Sequence, residues 1–223
     1  MQKIKAVLFD MDGVLIDSEY VMFDMLRKVL KHKNVDVSTA ELVETYIGLS
    51  SDKIYTLIIE KYGFSETVEE LRAEKNRLQG NFYVDVEIEP MEGLLAVLEY
   101  LKAQDVRMAL VSSTSSRNIL FAMNRLSLTK YFESIIGGDM LQQTKPAPEG
   151  YLTAAKYLGV KVSEALVIED SPIGIKAARN AGIKVVGFSA SKISQDTSHA
   201  DYQIGSFEEL LQWLKKLCKN APG

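Results

Sequence analysis

Ala6-Val7-Leu8-Phe9 is a continuous apolar run that ends directly in two carboxylates, Asp10 and Asp12, with Gly13 behind them. A run that is apolar at every position is what a strand buried on both faces requires, and such strands belong to parallel sheets covered by helices on either side. Asp10 is therefore expected at the carboxyl end of a buried strand, the edge outside which open α/β sheets bind their ligands. Two carboxylates this close repel one another unless a cation, a shared proton or hydrogen-bond donors offset the charge. The stretch calls for a cation beside it.

After Ser18 the period changes. Val21, Met22, Met25, Leu26, Val29 and Leu30 recur at helical spacing, and three further helical stretches are expected over 39–46, 51–62 and 66–82, divided at Gly48, Gly63 and Gly80. The next strand-like run is Tyr83-Val84-Asp85-Val86. Residues 17–87 are thus expected to form an all-helical insert, longer than an ordinary strand-to-helix loop, that serves as a cap. From Glu89 strands and helices alternate. Strands are expected at 106–111, 134–136, 165–168, 183–188 and 201–204, and helices at 94–103, 115–126, 148–158, 172–181 and from Ser206 onward. Helices between strands imply βαβ units, so the fold expected is α/β: a Rossmann-like, mostly parallel sheet with helices on both faces, formed by 1–16 and 88–223.

Bulk properties narrow the class of partner. A formal net charge of −4 argues against nucleic acid or an anionic membrane as the main partner. The one cysteine, Cys218, excludes an internal disulfide framework and is expected to be a reduced, inert thiol. With no run of membrane-spanning length and no signal-peptide pattern at the start, the expected location is cytoplasmic and the default state a monomer.

The segment Asp10-Met-Asp-Gly-Val-Leu-Ile-Asp-Ser-Glu19 resembles the first motif of the haloacid dehalogenase-like superfamily, DxDG followed by a hydrophobic pair and D-[ST]. Within it, the match is close to the branch that holds β-phosphoglucomutase and small-molecule phosphatases. Three later loops fit the same pattern. Ser112-Ser113-Thr114-Ser115-Ser116 follows a strand and precedes a helix, where hydroxyls and backbone N–H groups can hold a phosphate; serine there is also a common helix cap. The resemblance assigns phosphate binding to Ser112, with Ser113 and Thr114 as further contacts, in a register open by one or two residues. Lys145, in Thr-Lys-Pro-Ala-Pro, has its backbone constrained by Pro146 and resembles the family's third motif. Glu169-Asp170-Ser171-Pro172-Ile-Gly174-Ile-Lys-Ala-Ala-Arg-Asn-Ala-Gly182 resembles the fourth, ED[ST]xxGxxAAxxAG.

The resemblance implies an Mg²⁺-dependent phosphatase acting on a small phosphorylated metabolite, a sugar phosphate. Asp10 would form an aspartyl phosphate, Asp12 would act as acid and then base, and Lys145 would offset the charge on Asp10 and phosphate. Asp10, Asp12 through its carbonyl, Asp170, and Glu169 directly or through water would hold the metal. Oxygen ligands without a His or Cys cluster suit Mg²⁺ rather than zinc or iron. Two alternatives remain. One is phosphoryl transfer of the β-phosphoglucomutase type. Glu74-Lys75-Asn76 and Arg117-Asn118 resemble that enzyme's substrate contacts, but Ser51 stands where its cap carries an arginine, and Tyr20-Val21-Met22 lacks its hinge histidine. The other is an inactive module that binds phosphometabolites. Lys75, Arg117 and Asn118 are accordingly candidate substrate contacts, with water as the acceptor in the phosphatase reading.

Overall fold

A computed structural model describes residues 4–79 and 88–219 apart from 48, 50, 192 and 194. Six strands form one parallel sheet: β1 (Ala6–Phe9), β2 (Arg107–Val111), β3 (Ser134–Ile136), β4 (Ala165–Glu169), β5 (Lys184–Phe188) and β6 (Tyr202–Ile204), in the order β3-β2-β1-β4-β5-β6. Among the described residues there are nine α-helices. The four of residues 18–87 are α1 (Glu19–His32), α2 (Thr39–Tyr46), α3 (Ser51–Tyr62) and α4 (Val68–Gln79). The five of residues 88–219 are α5 (Leu94–Ala103), α6 (Ser116–Arg125), α7 (Glu149–Tyr157), α8 (Pro172–Asn180) and α9 (Phe207–Lys219).

Side-chain alternation along the strands builds two apolar layers. Ala6 and Leu8 of β1, Ala109 and Val111 of β2, and Ala165 and Val167 of β4 join Tyr151 and Ala154 of α7, Leu158 just past its end, and Ile175 and Ala178 of α8 in one buried cluster. The intervening residues Val7, Phe9, Leu110 and Ile168 are also fully buried, on the opposite face, where α5 packs on β2 and against α9. Phe188 of β5 meets Phe207 of α9 there, their ring centroids 4.4 Å apart.

The chain separates into two compact units, Met1–Asp17 with Ile88–Gly223, and Ser18–Glu87. In the helical unit the sequence sets the helix starts. Ser38 and Glu41 form a reciprocal capping box ahead of α2. Thr67 and Glu70 exchange the same two bonds, Thr67 N–H to Glu70 Oε2 at 2.8 Å and Glu70 N–H to Thr67 Oγ1 at 3.2 Å. That box explains why α4 begins at Val68 rather than at Glu66, as periodicity alone predicts. The end of that expected helix at Phe82, the run Tyr83 to Val86 and the divider Gly80 lie outside the described residues, as do Gly48 and the Cys218 side chain. No described helix is long and apolar enough to cross a membrane.

Leu8 is fully buried at the centre of the sheet. Leu8→Ala is expected to lower stability by about 3 kcal/mol, the usual cost of a core leucine and the cavity it leaves, read as a fall in the urea midpoint.

Candidate active site

The sheet order places the chemistry. β1 lies between β2 and β4, with Phe9 level with Leu110 on one side and Ile168 on the other. The residues at or just past the ends of these three strands, Asp10, Ser112 and the pair Glu169-Asp170, therefore share one edge, at the point where the strand order reverses. The Asp10 N–H donates to the Ile168 carbonyl at 3.0 Å and the Ser112 N–H to Ile136 at 3.0 Å, which fixes both residues to the ends of neighbouring strands.

Lys145 joins these ends. Its Nζ donates to Asp10 Oδ1 at 2.6 Å, to Glu169 Oε1 at 2.6 Å and to the Val111 carbonyl at 3.2 Å. Only about a tenth of the Lys145 side chain is exposed. Burial opposes the ammonium, but Asp10 and Glu169 outweigh it and hold the lysine pKa well above its usual range. For Asp10 the balance is reversed. Burial pushes it up to about 8, Lys145 works the other way, and Glu169 and Asp12 add to the rise. One lysine does not neutralise this edge.

Glu169 has no exposed surface, and both of its oxygens are occupied by donors. Oε1 also accepts from the Tyr151 hydroxyl at 3.0 Å; Oε2 accepts from Ser171 N–H and Oγ, each at 3.0 Å. The Tyr151 ring lies under Lys145, with Nζ 5.2 Å from its centroid. Glycine is required at two points around these acids. A Cβ on Gly174 in α8 would sit 1.6 Å from Glu169 Oε1, and one on Gly13, whose φ is +78°, would sit 1.9 Å from Asp170 Oδ2.

Asp12 occupies a different environment from Asp10. Its Oδ2 accepts from Thr114 Oγ1 at 3.0 Å and lies 3.5 Å from Ser112 Oγ. In the same loop the Thr114 N–H donates to Ser112 Oγ at 3.0 Å, and the Ser116 N–H and Oγ donate to Asp139 at 2.6 and 2.8 Å. Two of the N–H groups that sequence reasoning made available to a phosphate are thus engaged within the fold.

A model of the haloacid dehalogenase-like hydrolase family matches residues 7–188. The chain belongs to the haloacid dehalogenase-like hydrolases. Among its relatives, the phosphorylated carbohydrates phosphatase of Thermotoga maritima is 30% identical over 81% of this chain and 83% of its own length. A phosphoglycolate phosphatase of Neisseria meningitidis is 30% identical over 96% of this chain and 95% of its own. A crystal structure described as a putative beta-phosphoglucomutase from Thermotoga maritima superposes with a TM-score of 0.75 at 29% identity, covering 96% of this chain and 99% of that one. With its family shown and its curated relatives phosphatases, this haloacid dehalogenase-like chain is a phosphoric monoester hydrolase.

Carboxylate oxygens of Asp10, Glu169 and Asp170 lie within 4.8 Å of one another, all three residues buried. An all-oxygen donor set on an edge with unbalanced negative charge fits a hard divalent cation. Lys75 lies on α4, 8% exposed; Arg117 is exposed on α6, its guanidinium 5.6 Å from the Phe121 centroid, and Asn118 is half-buried beside it. The Asn76 side chain is outside the described set. Sequence reasoning missed Tyr151 and the part played by Ser171. Tyr151 carried a usable signal, because a tyrosine on the apolar stripe Tyr151-Ala154-Leu158 must find a partner for its buried hydroxyl.

Gly174→Ala is expected to force Glu169 from its donors, lowering stability by more than about 2 kcal/mol in a denaturant titration and collapsing turnover together with it.

Proposed function

We propose that this haloacid dehalogenase-like hydrolase is an Mg²⁺-dependent phosphatase of small phosphorylated metabolites, with a sugar phosphate as substrate and an aspartyl phosphate on Asp10 as intermediate. The observation that carries this reading is the contrast between the two carboxylates of the first motif. Asp10 is buried and ion-paired to Lys145 at 2.6 Å, whereas Asp12 is held by hydroxyls. Two titratable groups in environments this different take different roles, here nucleophile and acid–base.

Asp10 and Asp170 through their carboxylates, and Asp12 through its carbonyl, would hold the metal. With four protein donors on Glu169, that residue is assigned a contact through water. Bound there, Mg²⁺ would neutralise charge on the phosphoryl group and offset the repulsion between the carboxylates. The chain's own residues supply the remainder. An Asp10 oxygen attacks phosphorus while the bond to the alcohol oxygen breaks, and Asp12 gives that oxygen its proton. Lys145 draws negative charge from Asp10 and the incoming phosphate, and Ser112, Ser113 and Thr114 line the phosphate's path. Water then attacks the phosphoaspartate, Asp12 takes its proton, and phosphate departs.

The cap is assigned the choice of substrate. Lys75 supports this, being a buried ammonium whose pKa burial, with Arg72 second, brings down to about 8. Such a charge suits an anionic group of the substrate, and Arg117 and Asn118 are proposed contacts to the remainder. The second reading is the mutase, favoured by the likeness to the Thermotoga structure described as a putative beta-phosphoglucomutase. Ser51 and Tyr20-Val21-Met22, where that branch carries arginine and histidine, weigh against it.

Phosphate release across a panel of sugar phosphates, with and without Mg²⁺, tests the proposal beside a coupled assay for conversion of β-glucose 1-phosphate to glucose 6-phosphate. Mg²⁺-dependent release without isomerisation is the expected result; isomerisation without release would move the chain to the mutases. Asp10→Asn is expected to abolish both turnover and the hydroxylamine-sensitive phosphoenzyme, and indifference to that change would leave only a binding module.

Lys75→Met is expected to raise KM for sugar phosphates at pH 7 by about fivefold or more, the loss of one ion pair to the substrate, with kcat changed less. Because the folded-state pKa of Lys75 lies near 8 against 10.5 for an ordinary lysine, its burial costs stability in full below pH 8, and the cost fades as pH rises towards 10.5. The same variant should therefore be more stable than the wild type at pH 7, by on the order of 3 kcal/mol at most, and the difference should narrow in alkali. The wild-type KM should climb more steeply above pH 8 than that of the variant.

A further inference from the structure

The Thr114 hydroxyl reaches out of its own loop to the first motif. Oγ1 donates to Asp12 Oδ2 at 3.0 Å, and Ser112 Oγ, which accepts the Thr114 N–H at 3.0 Å, lies 3.5 Å from the same oxygen. The loop after β2 thus braces itself through Ser112 and presents Thr114 to a carboxylate on the loop after β1. The Asp12 backbone is already held. Gly13 N–H donates to the Ile16 carbonyl at 2.8 Å, and the N–H groups of Leu15 and Ile16 donate to the Met11 carbonyl at 2.8 and 3.2 Å. With its main chain fixed this way, the remaining freedom of Asp12 is rotation of its side chain, and the Thr114 bond restricts that rotation.

We propose that Thr114 is a positioning residue that aims the Asp12 carboxyl at the leaving-group oxygen; this rests on the reading of Asp12 as acid and base given above. The step balances as follows: the bond from phosphorus to the alcohol oxygen breaks as the bond from Asp10 forms, and the proton of Asp12 passes to the alcohol oxygen. Asp12 leaves the step as a carboxylate. A hydrogen bond from Thr114 is stronger to that carboxylate than to the acid it replaces, so the contact gains strength as the proton departs. A hydroxyl that only gripped phosphate would act differently, because the phosphoryl group is common to every ester. Dependence on the leaving group separates the two roles.

The test compares kcat/KM, which reports the first transfer, for the alkyl phosphate that the wild type turns over best and for p-nitrophenyl phosphate, whose phenolate leaves without needing a proton. Thr114→Val keeps the shape and removes the hydroxyl; Thr114→Ser keeps the hydroxyl. Thr114→Val is expected to lose about 10- to 100-fold more on the alkyl ester than on p-nitrophenyl phosphate, a part of what a placed general acid contributes. Thr114→Ser should recover most of the difference, and Asp12→Asn should show the same selective loss. Partial unfolding lowers both esters alike and does not imitate this pattern. Equal losses on the two esters, or no loss on the alkyl ester, would overturn the proposal while leaving the phosphatase reading intact. A wild type inert towards every alkyl phosphate would fell that reading and this one with it.

Discussion

One ammonium, Lys145 Nζ, holds together three segments that the sequence keeps far apart. It reaches Asp10 at the end of β1, Glu169 at the end of β4 and the last carbonyl of β2. Carboxylates buried to this depth persist only where donors or cations meet them, since each carries a desolvation penalty of several kcal/mol. Glu169 meets that requirement in full, through Lys145, Tyr151 and two donors of Ser171. Asp10 meets it only in part, which is why its pKa rises despite the neighbouring lysine. That incomplete pairing leaves an all-oxygen cluster of Asp10, Glu169 and Asp170 suited to a hard divalent cation.

Supports one layer further out keep the lysine in place. Its loop is anchored at both ends. The Glu149 carboxylate accepts the N–H groups of Gln142 and Gln143 at 3.0 and 2.8 Å, and the Asn180 amide of α8 donates to the Pro146 carbonyl at 3.0 Å. The Ser171 hydroxyl both caps α8, accepting the Gly174 N–H at 3.1 Å, and donates to Glu169. One hydroxyl thus starts the helix and orients the acid, and the missing side chain at Gly174 gives that acid its space.

Much of this was legible before any coordinates. The apolar runs before Asp10, Ser112 and Glu169 marked three strands, and helices between them required a parallel sheet, so convergence of those residues on one edge followed from topology. The helix limits came within one to two residues wherever a cap or a proline marked them, as at Pro172. Residue pairs distant in sequence were not legible: nothing in periodicity couples Thr114 to Asp12 or Tyr151 to Glu169. Nor did the serine-rich loop reveal that Asp139 takes the Ser116 N–H, because that acid arrives from a short turn after β3.

The two acids that close β4 show how much of the division of labour a simple periodicity contains. Ala165 and Val167 point into the layer shared with α7 and α8, so Glu169, two residues on, follows the same parity into that layer. There it meets Tyr151, a member of the same cluster. Ala6 and Leu8 share this layer too, which sends Asp10 towards the same side and explains why one lysine serves both acids. Asp170 breaks the parity and comes beside Gly13 instead, where only a glycine leaves room for its carboxylate. Adjacent acids in sequence are therefore unequal in the site. One is committed to protein donors and fixes the lysine; the other is directed to the turn that carries Asp12.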